Sequence, residues 1–86
     1  MTTLLVVHEV DDVQHWLGSP KRAEVFGSLG MTARTFVDPA NANRVGLIVD
    51  TPDVDTFQKF LQSDEAAAAM KHDGVRPDTV VMLVEG

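Results

Sequence analysis

The chain has 86 residues, no cysteine and a formal net charge of −6 at pH 7. This length suits a single domain spanning residues 1–86, and the missing cysteines exclude disulfides and thiolate metal sites, so a cytoplasmic location is the default expectation. We expect no nucleic-acid partner, because phosphate binding needs clustered Lys and Arg and the seven basic residues are scattered. We expect no membrane association either, because no apolar run approaches the roughly 20 residues of a membrane span.

The first predicted elements are a strand and a short helical turn. Thr3–Val10 is rich in branched apolar residues, which favour an extended chain. Asp11 and Asp12 follow as N-cap candidates for a helical turn that carries Trp16 and is interrupted at Gly18.

A second helix is predicted directly after this turn. Ser19 is a favourable N-cap, and Pro20 is favoured at the first helical position. Gly30 is suited to end the helix in a left-handed conformation. The apolar stripe expected to face the core comprises Ala23, Phe26 and Leu29.

The middle of the chain predicts two strands joined by a turn. Met31–Val37 has a mixed pattern and is the second strand, whereas Arg44–Asp50 is mostly apolar and is the third. Residues 38–43 between them are rich in turn formers and short enough for an antiparallel hairpin.

The last part of the chain predicts a broken helix followed by a strand. Thr51 or Asp53 is expected to cap the first half of this helix, and Ser63 is suited to cap a restarted second half. Gly74 ends the helix, and Thr79–Glu85 is the final strand. The apolar stripe of the first half comprises Val54, Phe57, Phe60 and Leu61.

The order β-α-β-β-α-β predicts a ferredoxin-like α+β fold. Its four-stranded antiparallel sheet has strands one and three in the centre, and the helices cover one face. The last strand is then an edge, yet Val80–Val84 is apolar throughout. An apolar edge and an uncovered sheet face are aggregation hazards in a monomer, so we expect a homodimer that associates face to face.

Two segments resemble the dimeric α+β barrel superfamily, which includes antibiotic-biosynthesis-type monooxygenases, muconolactone-isomerase-like proteins and stress-responsive barrel proteins. They are the hairpin segment Asp38–Val45 and the broken helix Phe57–Met70, and the shared layout covers essentially the whole chain. The resemblance implies a dimeric α+β barrel. It also implies either a cofactor-independent monooxygenase- or isomerase-like enzyme for a small apolar or aromatic molecule, or a non-catalytic ligand-binding or stress-responsive module.

One branch of that superfamily degrades haem with a histidine on the second helix, an Asn on strand one and a Trp on the second helix. This chain has His72 in a comparable region but neither the Asn nor the Trp. We therefore expect no haem and no other cofactor.

His8 is the polar residue that stands out in the first strand. It lies in phase with Leu4 and Val6, where it is either a general base or ligand contact, or a structural histidine. Glu9 points to the opposite face, which excludes an adjacent acid–base pair. Arg34, on the second strand, either binds an acidic group of a ligand or is a solvated edge charge.

The predicted site lies between the helices and the sheet. Its catalytic candidates are His8 and His72, although the position of His72 near a helix C-terminus also suits a purely structural role. No metal site is expected, because His8, His15 and His72 have no close ligand spacing along the chain. The ligand-binding candidates are Trp16, Phe26, Arg34, Phe57, Phe60 and Met70.

Overall fold

The computed structural model describes residues 2–86, which form a four-stranded sheet and four helices. The sheet has the order β2-β3-β1-β4, and neighbouring strands are antiparallel. The predicted ferredoxin-like α+β fold is therefore confirmed, with β1 and β3 in the centre. In chain order the elements are β1 Thr2–Val10, α1 Val13–Gly18, α2 Lys21–Ser28, β2 Thr32–Val37, β3 Arg44–Thr51, α3 Val54–Leu61, α4 Asp64–Asp73 and β4 Val75–Val84.

Three of the four helices begin at a capping side chain. The exception is α2, whose N-cap is Pro20 without a side-chain hydrogen bond, so the predicted N-cap at Ser19 is wrong. Asp12 caps α1, Asp53 caps α3 and Ser63 caps α4, and each side chain accepts a hydrogen bond from the backbone of the first helical turn. Of the two caps proposed for α3, Asp53 is thus the one used. Gly30 and Gly74 both have φ of 72°, which confirms the left-handed helix ends expected after α2 and α4.

The core-facing stripe of α2 differs from the predicted one. Ala23 is exposed, so its assignment to the stripe is wrong, whereas Val25 and Phe26 are buried and Leu29 is half-buried. Residues 25, 26 and 29 share one face with Arg22 at the helical spacing i, i+3, i+4 and i+7. Ala23 lies about 100° further around the helix than Arg22, away from the centre of this face.

Strand β4 begins earlier than predicted, at Val75 instead of Thr79. Val75–Arg76 pairs with the end of β1, and residues 77–80 then bulge out before the regular pairing resumes. The Thr79 hydroxyl fills the gap by accepting the backbone N–H of Glu9 at 2.8 Å. Pro77 argued against a strand in the sequence, because proline cannot donate a hydrogen bond to a neighbouring strand. An edge strand nevertheless tolerates proline at a bulge.

The two faces of the sheet have different surroundings. Leu4, Val6 and Val10 of β1 point toward the helices and are buried. The other face, called the open face below, is not covered by any element within residues 2–86. Its apolar side chains include Leu5, Phe36, Val81 and Leu83, which are between 39% and 56% exposed. None of the helices in this part of the chain is long and apolar enough to cross a membrane.

Candidate functional site

A cavity of about 80 Å³ lies between the sheet and the helices and is partly open to solvent. Its walls are almost entirely apolar, with polar side chains at one end. The lining comes from the covered sheet face and from α1 to α4, so the same layer forms both the core and the cavity. The aromatic and sulfur-containing walls are Trp16, Phe26, Phe57, Phe60 and Met70.

His8 reaches this cavity from the C-terminal part of β1. Strand alternation places it on the covered face with Val6 and Val10, and it is 4% exposed. It lies opposite the bulge in β4, where residues 77–80 leave the regular ladder. Bulges commonly occur next to binding sites, because they interrupt the close packing of neighbouring strands.

Within residues 2–86, the imidazole of His8 has no hydrogen-bond partner at either ring nitrogen. Buried polar atoms are nearly always paired, so two unpaired nitrogens on one ring call for a specific explanation. Burial and, to a smaller extent, the nearby positive charge of Arg22 lower the pKa of His8. The ring is therefore neutral at pH 7, with one nitrogen able to donate and the other able to accept a hydrogen bond.

Two of the polar side chains that line the cavity, His8 and Arg22, contact the indole ring of Trp16. His8 meets the indole edge-on, with ring centroids 5.6 Å apart. The Arg22 guanidinium carbon lies 4.4 Å from the indole centroid, and Arg22 Nη1 donates to the Trp16 carbonyl at 3.1 Å. Burial lowers the pKa of Arg22, and the charge of Asp73 opposes this effect.

Asp73 connects the cavity to a histidine pair on the surface. Its Oδ2 atom is 4.0 Å from Arg22 Nη1, which is a charge–charge contact longer than a hydrogen bond. Its Oδ1 atom is 2.9 Å from Nδ1 of His72, a side chain that is 46% exposed. His15 Nε2 lies 2.7 Å from the His72 carbonyl oxygen. His15, His72 and Asp73 form the one group of possible metal ligands found within residues 2–86.

The structure brings most of the predicted site residues together and leaves two outside. His8 and the five predicted aromatic and methionine residues line the cavity. Arg34 does not line it, because this residue is exposed on β2 and its register with Ile48 places it on the open face. His72 is also absent from the cavity lining and lies at the surface end of α4.

Three polar residues of the cavity lining were not among the predicted site residues: Lys21, Arg22 and Asp73. In the sequence, Arg22 counts only among the scattered basic residues that argue against nucleic-acid binding. Asp73 precedes Gly74, where the sequence predicts the end of a helix. The i, i+3, i+4 pattern of α2 could have identified Arg22 as a core-facing residue, because it places Arg22 on the same face as Val25 and Phe26.

Comparisons with known proteins support the fold and leave the activity open. No protein-family model and no curated protein matches the chain. Among solved structures, the chain is similar to one described as the crystal structure of an antibiotic biosynthesis monooxygenase, with a TM-score of 0.63 and 12% sequence identity. The match covers 100% of this chain and 97% of that chain. The expected resemblance to this superfamily is thus confirmed for the fold.

Proposed function

We propose that the cavity binds a small, largely apolar or aromatic molecule and that His8 holds its polar atom. The observation that carries this proposal is the buried His8 imidazole, whose two nitrogens are unpaired in the part of the chain that the structure describes. An unsatisfied buried polar group costs about 1–3 kcal/mol, which a ligand hydroxyl or carbonyl recovers by pairing with it. An apolar pocket with few converging polar groups is typical of small-molecule sites.

The proposed chemistry is proton removal by His8, in a cofactor-independent monooxygenase- or isomerase-like reaction. A neutral imidazole can accept a proton, and the lowered pKa of His8 keeps the ring neutral at pH 7. Proton transfer from the ligand would leave an anion beside the imidazolium and near Arg22. The negative charge of this anion offsets the positive charges of the imidazolium and of Arg22. We therefore assign to Arg22 the stabilisation of the deprotonated ligand.

Non-catalytic binding is the second candidate function, and one observation favours it. A general base is usually oriented by a third group, but neither nitrogen of His8 has such a partner within residues 2–86. His8 would then serve only to hold a ligand hydroxyl. The two candidates share the cavity and differ in whether a proton moves.

The protein is further proposed to act as a homodimer, in which a second copy covers the open face. Support comes from the exposed apolar side chains of three strands, including Phe36 and Val81. A shallow depression of about 220 Å³ lies beside Gly46, between Phe36 and Leu5. The missing side chain at Gly46 leaves room there for an apolar side chain of the second copy.

The ligand proposal is tested by comparing phenol with toluene, which have similar size and differ in one hydroxyl. We expect phenol to raise the melting temperature more than toluene does, because only phenol pairs with His8. His8→Leu should remove this preference and retain toluene binding. His72→Ala is the control, because His72 does not line the cavity. A preference for phenol that persists in His8→Leu would contradict the proposal.

Catalysis is separated from binding by hydrogen exchange on a small ketone. Cyclopentanone in D₂O would exchange its α-hydrogens faster with the protein present if His8 removes a proton, and NMR follows the loss of the signal. His8→Leu should abolish the acceleration. Binding without acceleration would support the non-catalytic candidate instead.

A further inference from the structure

The contact between α1 and α4 brings together a second group of polar side chains, of which only Asp73 also lines the cavity. His15 comes from α1, and His72 and Asp73 come from the last turn of α4. One ligand atom from each of these residues lies within 4.8 Å of the others. The two imidazole rings are tilted by 35° with centroids 5.5 Å apart. This set is separate from His8, which faces the interior.

The hydrogen bonds of the two imidazoles leave one lone pair free on each ring. His15 Nε2 faces the His72 carbonyl oxygen, which can only accept, so Nε2 carries the hydrogen and Nδ1 is free. His72 Nδ1 faces Asp73 Oδ1 in the same way, which leaves Nε2 of the neutral ring free. Asp73 Oδ1 faces His72 Nδ1, so a metal that binds both of these atoms would take the place of the hydrogen on Nδ1, and the neutral ring would then carry its hydrogen on Nε2.

We propose that His15, His72 and Asp73 bind a divalent first-row transition metal of the zinc class. Two imidazole nitrogens and one carboxylate suit Zn²⁺, whereas Mg²⁺ and Ca²⁺ prefer oxygen ligands. With bond lengths near 2.1 Å, donors of a tetrahedral zinc site lie about 3.4 Å apart. The observed limit of 4.8 Å therefore requires small side-chain movements, and two of the residues are exposed and free to make them.

The buried Asp73 gives this site a link to the cavity. Its Oδ1 atom faces the histidine pair and its Oδ2 atom faces Arg22, which lines the cavity. A bound cation draws negative charge from the carboxylate and thereby weakens its contact with Arg22. The metal site goes beyond the proposed function, and it stands whether or not the cavity binds a ligand.

The test uses the full chain without an affinity tag and titrates Zn²⁺ alone, followed by calorimetry. Co²⁺ is titrated in parallel, because its visible absorption reports tetrahedral coordination. We expect one ion per chain in both titrations. His15→Ala and His72→Ala should each weaken Zn²⁺ binding by more than about tenfold. An excess of Mg²⁺ should not compete.

The controls separate metal binding from changes in the fold. Lys71→Ala alters the exposed neighbour of His72, and His8→Leu removes a histidine that faces the interior. Both variants should bind Zn²⁺ as the wild type does. His15→Ala is the decisive variant for metal binding, because it alters an exposed side chain. Circular dichroism verifies that this variant folds. No measurable binding by the wild type, or equal binding by wild type and folded His15→Ala, overturns the proposal.

Discussion

The covered face and the open face of the sheet are built from alternate residues of the same strands. On β1, Leu4 and Val6 are at most 4% exposed, whereas the intervening Leu5 is 39% exposed. The covered face also contains His8, a polar residue in an apolar cavity that finds no hydrogen-bond partner among residues 2–86. The open face has the reverse mismatch, with apolar side chains that face water. The covered face therefore lacks a polar ligand atom that would pair with His8, and the open face lacks an apolar partner.

The largest expected effect distinguishes two phenylalanines, one on each side of the sheet. Phe57 is 1% exposed in the core, and Phe36 is 46% exposed on the open face. Phe57→Ala should lower the free energy of unfolding by about 3–5 kcal/mol, because it leaves a cavity. Phe36→Ala should act only through the dimer, so its effect should depend on protein concentration. Urea unfolding at several concentrations measures both, and equal, concentration-independent losses would show that Phe36 belongs to the monomer core.

A charge placed on the open face should separate the two copies. Val81 is 54% exposed and pairs with Val7, and Val81→Asp would bury an unpaired carboxylate in the proposed interface. A buried unpaired charge costs about 3–5 kcal/mol, so association should weaken by at least about 100-fold. Analytical ultracentrifugation measures the association.

The control for this variant places the same charge elsewhere. Gln58→Asp adds a carboxylate to the exposed side of α3 and should leave the dimer intact. Met82 neighbours Val81 but packs against the core, so Met82→Lys should unfold the chain instead of dissociating it. A wild-type chain that sediments as a monomer at micromolar concentration would refute the dimer.

The smallest expected effect concerns the charge of His8. Its pKa in the folded protein lies below the unfolded value of about 6.5, so the folded state binds fewer protons under mildly acidic conditions. The wild type should therefore lose stability as the pH falls below about 6.5, by at most about 1.4 kcal/mol per pH unit from this residue. Above about pH 6.5 the contribution of His8 to the pH dependence of stability vanishes.

The matched measurement compares the wild type with His8→Leu by urea unfolding at about pH 7.5 and about pH 5.5. His15 and His72 are present in both proteins, so their titration cancels in the difference. The loss between the two pH values should be smaller in His8→Leu. Equal losses would indicate that the His8 ring becomes protonated within the folded protein without cost.

The fold was predictable because most of its signals are local. Period-two alternation placed His8 with Leu4 and Val6, and the structure confirms this face. Caps such as Ser63 act within one helical turn, so they were predictable from the local sequence. The error in the last strand occurred where a distant segment decides. Val75 and Arg76 became strand because β1 pairs with them, and Thr79 stabilises a bulge that Pro77 obscured.

The sequence by itself determined the order of the elements and the excess of apolar residues over what the helices can cover. Both follow from local geometry, because the period of the apolar pattern reveals which residues share a face. Only the tertiary structure decided which polar groups meet. Arg22 lies on Trp16 and near Asp73, and His15 contacts His72 across 57 positions in the chain. These contacts depend on how α1, α2 and α4 pack on the sheet, and no local pattern encodes the distance between side chains of separate helices.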